Sequence, residues 1–552
     1  MSTDDRDTPP NSIRDYHHRT KHAPQRYAIG PAFLDWESQP NPFRLYPGSR
    51  KIRLPLAPHA ITPAFAHLGE RGQDATSQAL TSATLGLFLE LALGLSAWKE
   101  VEGQRWTLRQ NPSSGNLHPT ESWLVLPPLD GISETTGLYH YSPLLHGLED
   151  RRSPLTLPAL PPGLILLALS SVVWREAWKY GERAFRYTQL DVGHAIGSIA
   201  YAAACLGWRV RMVSELSDAD LAHHLGLDRA ESQHRFEEEH PDLLLAIDTA
   251  PADGEDLPLP PLRDDWGGQW HGIANLLSED HERWPAIERA LRFSIKPATA
   301  SPPPTAPLSP QGLPPGPLHP ASEVIRRRRS AQRMDPTGSS IGREVFFRIL
   351  AATLPALAPV PFAAFPWPPR LALVLFVHQV EGLTPGLYLL PRDGASLERL
   401  RAASDPAFFW SPVADCPIPL YHLADGDLRK QANKLSCLQA IAGHSAFSLG
   451  MIADYDRTLT EEGDWAYRRL FWEGGLIGQA LYLEATAAGL AGTGIGCFFD
   501  DEVARTLGLD PTKDEWQSLY HFTIGRPLED SRLLTWPAYH HLDTAWEDED
   551  GS

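Results

Sequence analysis

Sulfur is scarce in this chain, and positive charge is outweighed. Of 552 residues only four are cysteine, Cys205, Cys416, Cys437 and Cys497, with no CxxC pair and no evenly spaced framework. That excludes a disulfide-stapled secreted scaffold and predicts a reducing compartment. Lysine and arginine number 49 against 68 aspartates and glutamates, a net charge of −19. Phosphate backbones need a cationic face, so nucleic acid is excluded as the main partner and small-molecule chemistry is favoured. No run approaches the ~18 apolar residues that cross a bilayer. The start, MSTDDRDTPPNSIRDYHHRT, has neither the cationic opening nor the apolar core of a signal peptide. A soluble, cytoplasmic protein without a membrane partner is the expectation. Also absent are GxSxG, GxxxxGK(S/T) and HExxH. His223-His224 and His540-His541 lack cysteine or carboxylate partners at ligand spacing, so no metal site is expected. His17, His18 and His22 fall in an arm that reads as flexible.

Proline, by contrast, is plentiful at 51 residues, and it crowds into 297–320, PATASPPPTAPLSPQGLPPGPLHP. Such a stretch forms neither helix nor central strand and reads as a semi-rigid connector. The length alone favours two or more domains. Sliding the chain by 282 residues lays Ala184–Asp228 on Ala466–Asp510 without a gap, with 11 of 45 positions identical. Arg186 meets Arg468, Gly193 meets Gly475, Gly207 meets Gly489, and LGLD meets LGLD. The order of helix, glycine stop and LGLD points to an internal duplication. The helices within each copy, DVGHAIGSIAYAAACLG and EGGLIGQALYLEATAAGLAG, are apolar on nearly every side, so they predict burial against another helix. Strands are expected at 121–128, 164–171, 370–379 and 518–525. The class is α+β, with two related halves forming an intramolecular pseudo-dimer. The predicted layout is an N-terminal arm over 1–60, a first half over 61–290, a linker over 291–322, a second half over 323–530 and an acidic tail over 531–552.

Four stretches carry candidate chemistry. Arg109 to Asn116, RQNPSSGN, is expected to follow a helix over Thr81 to Trp98 and to precede a strand, which makes it a loop aimed by rigid neighbours. Pro112 fixes one φ, Gly115 permits an unusual one, and Ser113, Ser114 and Asn116 offer donors and acceptors to a flat polar ligand. An ordinary loop of turn formers has the same composition. In Arg326 to Arg333, RRRRSAQR, guanidinium forks and a hydroxyl suit a phosphate, and a solvated charge run is the alternative. Gly489 to Gly496, GLAGTGIG, imitates a dinucleotide fingerprint but follows a helix, leaving a glycine-lined backbone that a ring or phosphate could approach. In Trp178 to Tyr187, Lys179 and Tyr180 suit a proton-transfer pair if burial lowers the lysine. An exposed lysine beside a packed tyrosine is the plainer reading.

Taken together, RQNPSSGNLHPTESWLV (109–125), WKYGERAFRYTQLDVGH (178–194), RRRSAQR (327–333) and GGLIGQALYLEATAAGLAGTGIGCF (474–498) resemble the nitroreductase-like flavoproteins, and more narrowly the SagB-type dehydrogenases. YHHRTKH and DWESQPNPFRLY are similar to the leader of tandem members. The resemblance implies an α+β fold of two interlocked units with FMN at their interface. It implies that Arg328, Ser330 and Arg526 take the phosphate. Pro112, Ser113, Ser114 and Asn116 would meet the flavin ring, with Gly494 and Ile495 on its other side. Gln332 stands where the family usually has Arg or Lys, a role that Arg333 could assume. Lys179 would be the general base and Tyr180 its partner.

The halves have kept complementary pieces. The first has PSSGN and Lys-Tyr, but VRMVS in place of GTGIG; the second has RRS and GTGIG, but APVPFAAFPWPPR (358–370) in place of PSSGN. One composite FMN site per chain is therefore expected. The implied function is hydride transfer to flavin N5, with oxidation of azoline-like rings in peptide natural products as the substrate class and a biosynthetic complex as a setting. An NAD(P)H-dependent nitro or quinone reductase, and a non-catalytic scaffold subunit, are the rival readings.

Overall fold

A computed structural model describes residues 8–57, 62–68, 77–156, 160–229, 234, 236–251, 256–300, 316–357 and 359–543. Most of the proline connector read at 297–320 lies outside them. The first-half strands are β1 (Lys51–Arg53), β2 (Leu95–Val101), β3 (Gln104–Arg109), β4 (Thr120–Leu126), β5 (Gly137–Ser142), β6 (Gly147–Ser153), β7 (Leu164–Val172), β8 (Arg209–Val213) and β9 (Glu239–Asp248). The second half supplies β10 (Leu371–Val377), β11 (Gly386–Leu390), β12 (Tyr421–Asp425), β13 (Phe447–Asp454), β14 (Ala491–Ile495), β15 (Trp516–Gly525) and β16 (Leu534–Trp536). One sheet runs β1-β6-β5-β4-β7-β9-β8 and the other β12-β11-β10-β13-β15-β14, with the short strand Ser411–Pro412 at the edge of β12, so that, past the two edge strands, the orders agree strand for strand. Pairing is antiparallel throughout both. The central strands are buried on both faces, which explains why LILLALSSV and LALVLFV read as continuous apolar runs.

The helices that shape the site are α1 (Ile13–Arg19), α2 (Ser82–Leu93), α3 (Trp174–Tyr180), α4 (Ala184–Cys205), α5 (Asp218–Leu225), α6 (Ala321–Arg327), α7 (Ala466–Ala487) and α8 (Asp500–Thr506). Helices α4 and α7 start 282 residues apart, as do β8 and β14, and α5 and α8. The register read in the sequence is thus the register of the fold. Helices α4 and α7 pack on each other at the aligned glycines. A Cβ on Gly193 would lie 2.3 Å from the Trp472 carbonyl oxygen, and one on Gly475 would lie 2.1 Å from that of Leu190. Only glycine lets the two backbones touch. Around this crossing, Trp472 donates its indole N–H to Gln189 at 2.7 Å, and His194 meets Tyr520 at 3.0 Å.

Several expected boundaries move. The helix expected to reach Trp98 ends at Gly94, because Glu102 and Gly103, both at positive φ, turn β2 back on β3 as a hairpin. Strand β16 adds to the edge of β2, and the Tyr539 hydroxyl accepts from the Leu95 amide at 2.9 Å. Residues 534–542 therefore pack on the first half and do not trail as a tail; the most acidic residues, 544–552, lie outside the described residues. The arm read as flexible is ordered: Ser12 caps α1, and Tyr16 and His17 are buried. Tyr16 donates to the Glu182 carbonyl at 2.6 Å while His17 contacts Tyr467 and Gln517, so α1 holds both halves. Strand β1, placed in the arm from the sequence, belongs to the first sheet. Among the described residues no helix is long and apolar enough to cross a membrane.

Candidate functional site

Between β3 and β4 the chain makes a tight turn at Ser114–Asn116, with positive φ at Gly115, Asn116 and His118. The turn is locked from within. Asn116 Nδ2 donates to the Thr107 carbonyl at 2.8 Å, its Oδ1 meets His118 Nε2 at 2.9 Å, and Ser113 Oγ accepts from the His118 amide at 2.8 Å. Burial, then the charges of Arg109, Arg175 and Arg328, hold His118 well below the usual histidine range, so it is neutral. A Cβ on Gly115 would lie 2.6 Å from the Tyr180 hydroxyl and 3.2 Å from Lys179 Nζ. The glycine thus serves both its φ and the close approach of the Lys-Tyr pair at the end of α3. Beneath the turn lie two buried carboxyls: Glu176 accepts from Ser113 Oγ at 3.4 Å, and Asp191 from the Ser114 amide at 3.1 Å. Both are pushed upward, by burial first and, for Glu176, next by the Asp191 charge.

The second half faces this turn across a cleft of about 770 Å³, whose lining includes Trp106, Asn111, Pro112, Ser113, Asn116 and His118 from one side. From the other side come Arg327, Arg328, Arg329, Ser330, Gln332 and Leu490. Arg328 spans the seam: Nε donates to the Gln110 carbonyl at 3.1 Å, Nη2 to that of Arg109 at 3.0 Å, and the guanidinium lies over Tyr482. Arg329 donates to the Ser96 carbonyl at 2.7 Å. Ser330 Oγ meets the Tyr482 hydroxyl at 2.8 Å, which in turn accepts from the Gly494 amide at 2.9 Å. Three buried polar atoms of lining residues, Arg109 Nε, Asn111 Oδ1 and His118 Nδ1, have no protein partner. A buried polar atom left unpaired is costly, so the cleft is built for a polar ligand.

Behind the cleft, Arg183 and Arg186 clasp Asp500 at 2.9 and 2.6 Å, and the His22 amide adds a third donor at 2.8 Å. Burial pushes Asp500 up, but the two guanidiniums outweigh it and bring it down to about 2. Arg183 Nη2 and the Tyr187 hydroxyl both donate to the Gly496 carbonyl at 3.1 Å. The position 282 residues earlier is filled instead. There Asp218 pairs with Arg468 at 2.5 Å, and the Ser214 carbonyl accepts from Lys296 Nζ at 2.5 Å. The Lys296 ammonium lies over Trp465, and Trp465, Trp367 and Phe365 pack edge to edge where the other half has its polar turn.

Of the residues singled out from the sequence, Pro112, Ser113, Asn116, Arg328, Ser330 and Gln332 line the cleft. Ser114 sits on Asp191, and Lys179 and Tyr180 lie against Gly115. Arg333 and Arg526 are exposed and outside the lining, and the Arg526 carbonyl accepts from the Asp335 amide. The glycine-rich stretch is β14, and its glycines make room for the protein's own rings. A Cβ on Gly494 would fall 1.8 Å from the Tyr520 hydroxyl, one on Gly492 would fall 2.6 Å from Phe522, and Ile495 is buried. Sequence reasoning passed over Asn111 and Arg327, although both stand inside quoted motifs. It also passed over Trp106 and the segment 527–535, which carry no local signal and reach the cleft only through the fold.

Residues 325–526 match the Nitroreductase family. A curated protein of Methanocaldococcus jannaschii assigned as a nitroreductase is 28% identical over 120 residues, 20% of this chain, and the match spans 60% of that relative's length. A crystal structure from Anabaena variabilis, likewise assigned as a nitroreductase, aligns over 94% of this chain and 100% of its own, with a TM-score of 0.66 and 21% identity. The Escherichia coli microcin synthetase McbBCD complex aligns over 44% of this chain and 92% of its own, at 17% identity and a TM-score of 0.26, too low to carry weight. Residues 325–526 are therefore a nitroreductase-family domain, and the chain as a whole shares its fold with the Anabaena protein.

Proposed function

We propose that the chain is an FMN-dependent oxidoreductase of the SagB-type dehydrogenase kind, a fused pseudo-dimer with one composite flavin site. The observation that carries this reading is the cleft lined jointly by 111–118 of one half and 327–332 of the other, while its counterpart is packed with Trp465, Trp367 and Lys296. The residues fit the cofactor: about 770 Å³ is of ligand size, the second-half wall is cationic, and Asn111 and His118 present unpaired polar atoms. Arg327, Arg329 and Ser330 would hold the phosphate, Gln332 being a neutral member of that wall and Arg328 a brace across the seam. Pro112, Ser113 and Asn116 would meet the ring.

When bound, FMN supplies a two-electron acceptor at N5. Lys179 Nζ, on the far side of Gly115, is the base that removes a proton from the carbon beside the one losing hydride, and the Tyr180 hydroxyl orients it. The paired carboxyls Glu176 and Asp191 keep the turn in place under the reacting region. An azoline-like ring in a modified peptide is the proposed substrate class, within a biosynthetic complex. Two measurements test the proposal. The purified protein is expected to carry about one FMN per chain, and Lys179→Met and Tyr180→Phe are expected to keep that flavin while turnover falls by ~10²–10⁴-fold, the range for loss of a general base. A colourless protein that takes up no FMN rejects the site. Full turnover by both variants rejects the roles given to the pair, and rapid bleaching by NAD(P)H favours a nitro or quinone reductase.

A further inference from the structure

Strands β16, β2 and β3 form a three-stranded sheet whose two faces differ. Lys99 of β2 stands between Trp106 of β3 and Thr535 of β16 as their cross-strand neighbour. Neighbours of this kind share a face, and so does Leu108, two residues beyond Trp106. All four residues line the cleft. The opposite face carries Glu100 and Arg105, also cross-strand neighbours, which pair at 2.7 Å while Trp536 donates its indole N–H to Glu100 at 2.9 Å. Charge on that face is answered within the sheet. On the cleft face it is not: Lys99 Nζ donates to Thr535 Oγ1 at 2.6 Å, and among the described residues no carboxylate is in ion-pair distance of it.

The rest of the cleft is cationic as well. Arg109 and Arg328 are buried and donate only to backbone carbonyls, as does Arg329, while Arg327 is exposed. Of the carboxylates in the lining, Asp530 is held by Arg532 at 2.7 Å, which leaves Glu529 to answer these cations and Lys99 together. A phosphate monoester adds about −1.5 to −2 charge at pH 7. With that phosphate on Arg327, Arg329 and Ser330, positive charge is still left over, and Lys99 is the cation placed off that motif. Its surroundings are also different, since Trp106, Leu108, Leu528 and Leu533 make the wall beside it apolar. An ammonium is a point charge, without the fork that suits guanidinium to phosphate, and beside apolar surface it matches a single carboxylate on an apolar body.

We propose that the sheet face of Lys99, Trp106 and Leu108 is a substrate subsite for a carboxylate carried on an apolar or aromatic body. Lys99 pairs with the carboxylate, and Trp106 and Leu108 cover the body. The subsite, which rests on the flavin reading given above, narrows the peptide class named there to peptides whose C-terminus or acidic side chain adjoins an apolar residue.

Titration calorimetry of the full-length, flavin-loaded protein tests it with three probes. N-acetylphenylalanine is expected to bind at least tenfold tighter than its amide, the gain from a hydrogen bond between charged groups. That preference should vanish in Lys99→Met and persist in Lys99→Arg, whereas Trp106→Ala should weaken acid and amide alike. Thr535→Val removes the bond to Lys99 but not its charge, so the preference should survive it. N-acetylglutamyl-phenylalanine amide separates the sources: binding that depends on Lys99 assigns the acidic side chain, and Lys99-dependent binding of N-acetylphenylalanine alone assigns the C-terminus. Equal affinity for acid and amide, a preference kept in Lys99→Met or lost in Thr535→Val, or release of flavin into the filtrate by the acid would each overturn the proposal. A protein purified without flavin rejects the reading above, while the difference between acid and amide in that same sample still decides the role of Lys99.

Discussion

The two positions related by the 282-residue step share an arginine–aspartate clasp and differ in what surrounds it. At one, Arg183 and Arg186 hold Asp500, and the Gly496 carbonyl accepts from Arg183 and Tyr187. At the other, Arg468 holds Asp218, Lys296 caps the carbonyls of Ser214 and Leu216, and aromatic rings fill the space. The shared element is the arginine–aspartate clasp, which ties α4 to α8 and α7 to α5, each in the opposite half. What differs is whether the room beside it was lined with polar turns or packed. A clasp can therefore be structural at both positions while only one of them keeps a cavity.

The largest expected effect tests that clasp. Asp500→Ala leaves Arg183 and Arg186 buried without a counter-charge and is expected to cost about 3–5 kcal/mol, read as a drop in the denaturation midpoint. Asp218→Ala should cost less, because Arg468 also reaches Asp242 and three backbone carbonyls. The two acids should also respond oppositely to pH. Asp500 titrates below its unfolded value, so the stability it provides is present above about pH 4 and is lost as pH falls toward 2, an effect of about 2 kcal/mol. Burial raises Asp218, so its contribution grows as pH falls and is lost as pH rises through its folded value. Denaturation curves of Asp500→Asn and Asp218→Asn across pH 2–6 check both signs.

Next in size is the crossing of α4 and α7. Gly475→Ala places a methyl against the Leu190 carbonyl, a backbone atom that cannot swing aside, and is expected to cost about 1–3 kcal/mol. Gly197→Ala places its methyl 2.7 Å from Gln479 Cβ, 2.8 Å from its Cγ and 3.4 Å from Leu476 Cδ1, side-chain atoms and not a carbonyl, so its melting temperature should also fall, by less than that of Gly475→Ala. Lys296→Ala should cost about 1–3 kcal/mol through unsatisfied carbonyls at the filled position, with no change in flavin content. A large loss of flavin would mean that the filled position also takes part in binding. The smallest effect is Gln332→Lys, which adds a cation to the cleft wall and should tighten flavin binding by roughly 0.5–1 kcal/mol, the gain fading at high salt. Fluorescence titration at two salt concentrations measures it.

The pattern of what could be read follows from how local each feature is. Helices α4 and α7 were legible because stretches small and apolar on nearly every side admit one environment, and their register was legible because both stretches are in one chain. The hairpin of β2 and β3 was missed because Leu95-Ser-Ala-Trp continues an apolar run, and only the Glu102-Gly103 turn betrays it. Ser113, Asn116 and Ser330 were legible as polar residues in turns. The room that the glycines of β14 give Tyr520 and Phe522 was not legible, because a glycine that admits a ligand and one that admits a ring look the same in sequence.

By itself, the sequence determined the 282-residue register that α4, β8 and α5 share with α7, β14 and α8, the central strands β7 and β10, and the presence of PSSGN in one part and RRS in the other, since these depend on neighbours along the chain. The tertiary structure alone decided that Arg328 braces the turn of the opposite half and that Lys296 and Trp465 close one of two equivalent places. It also decided that the His22 amide reaches Asp500 from the far end of the chain. Each of these is a contact between groups far apart in sequence, and which of them meet is set by the packing of two sheets about one helix pair.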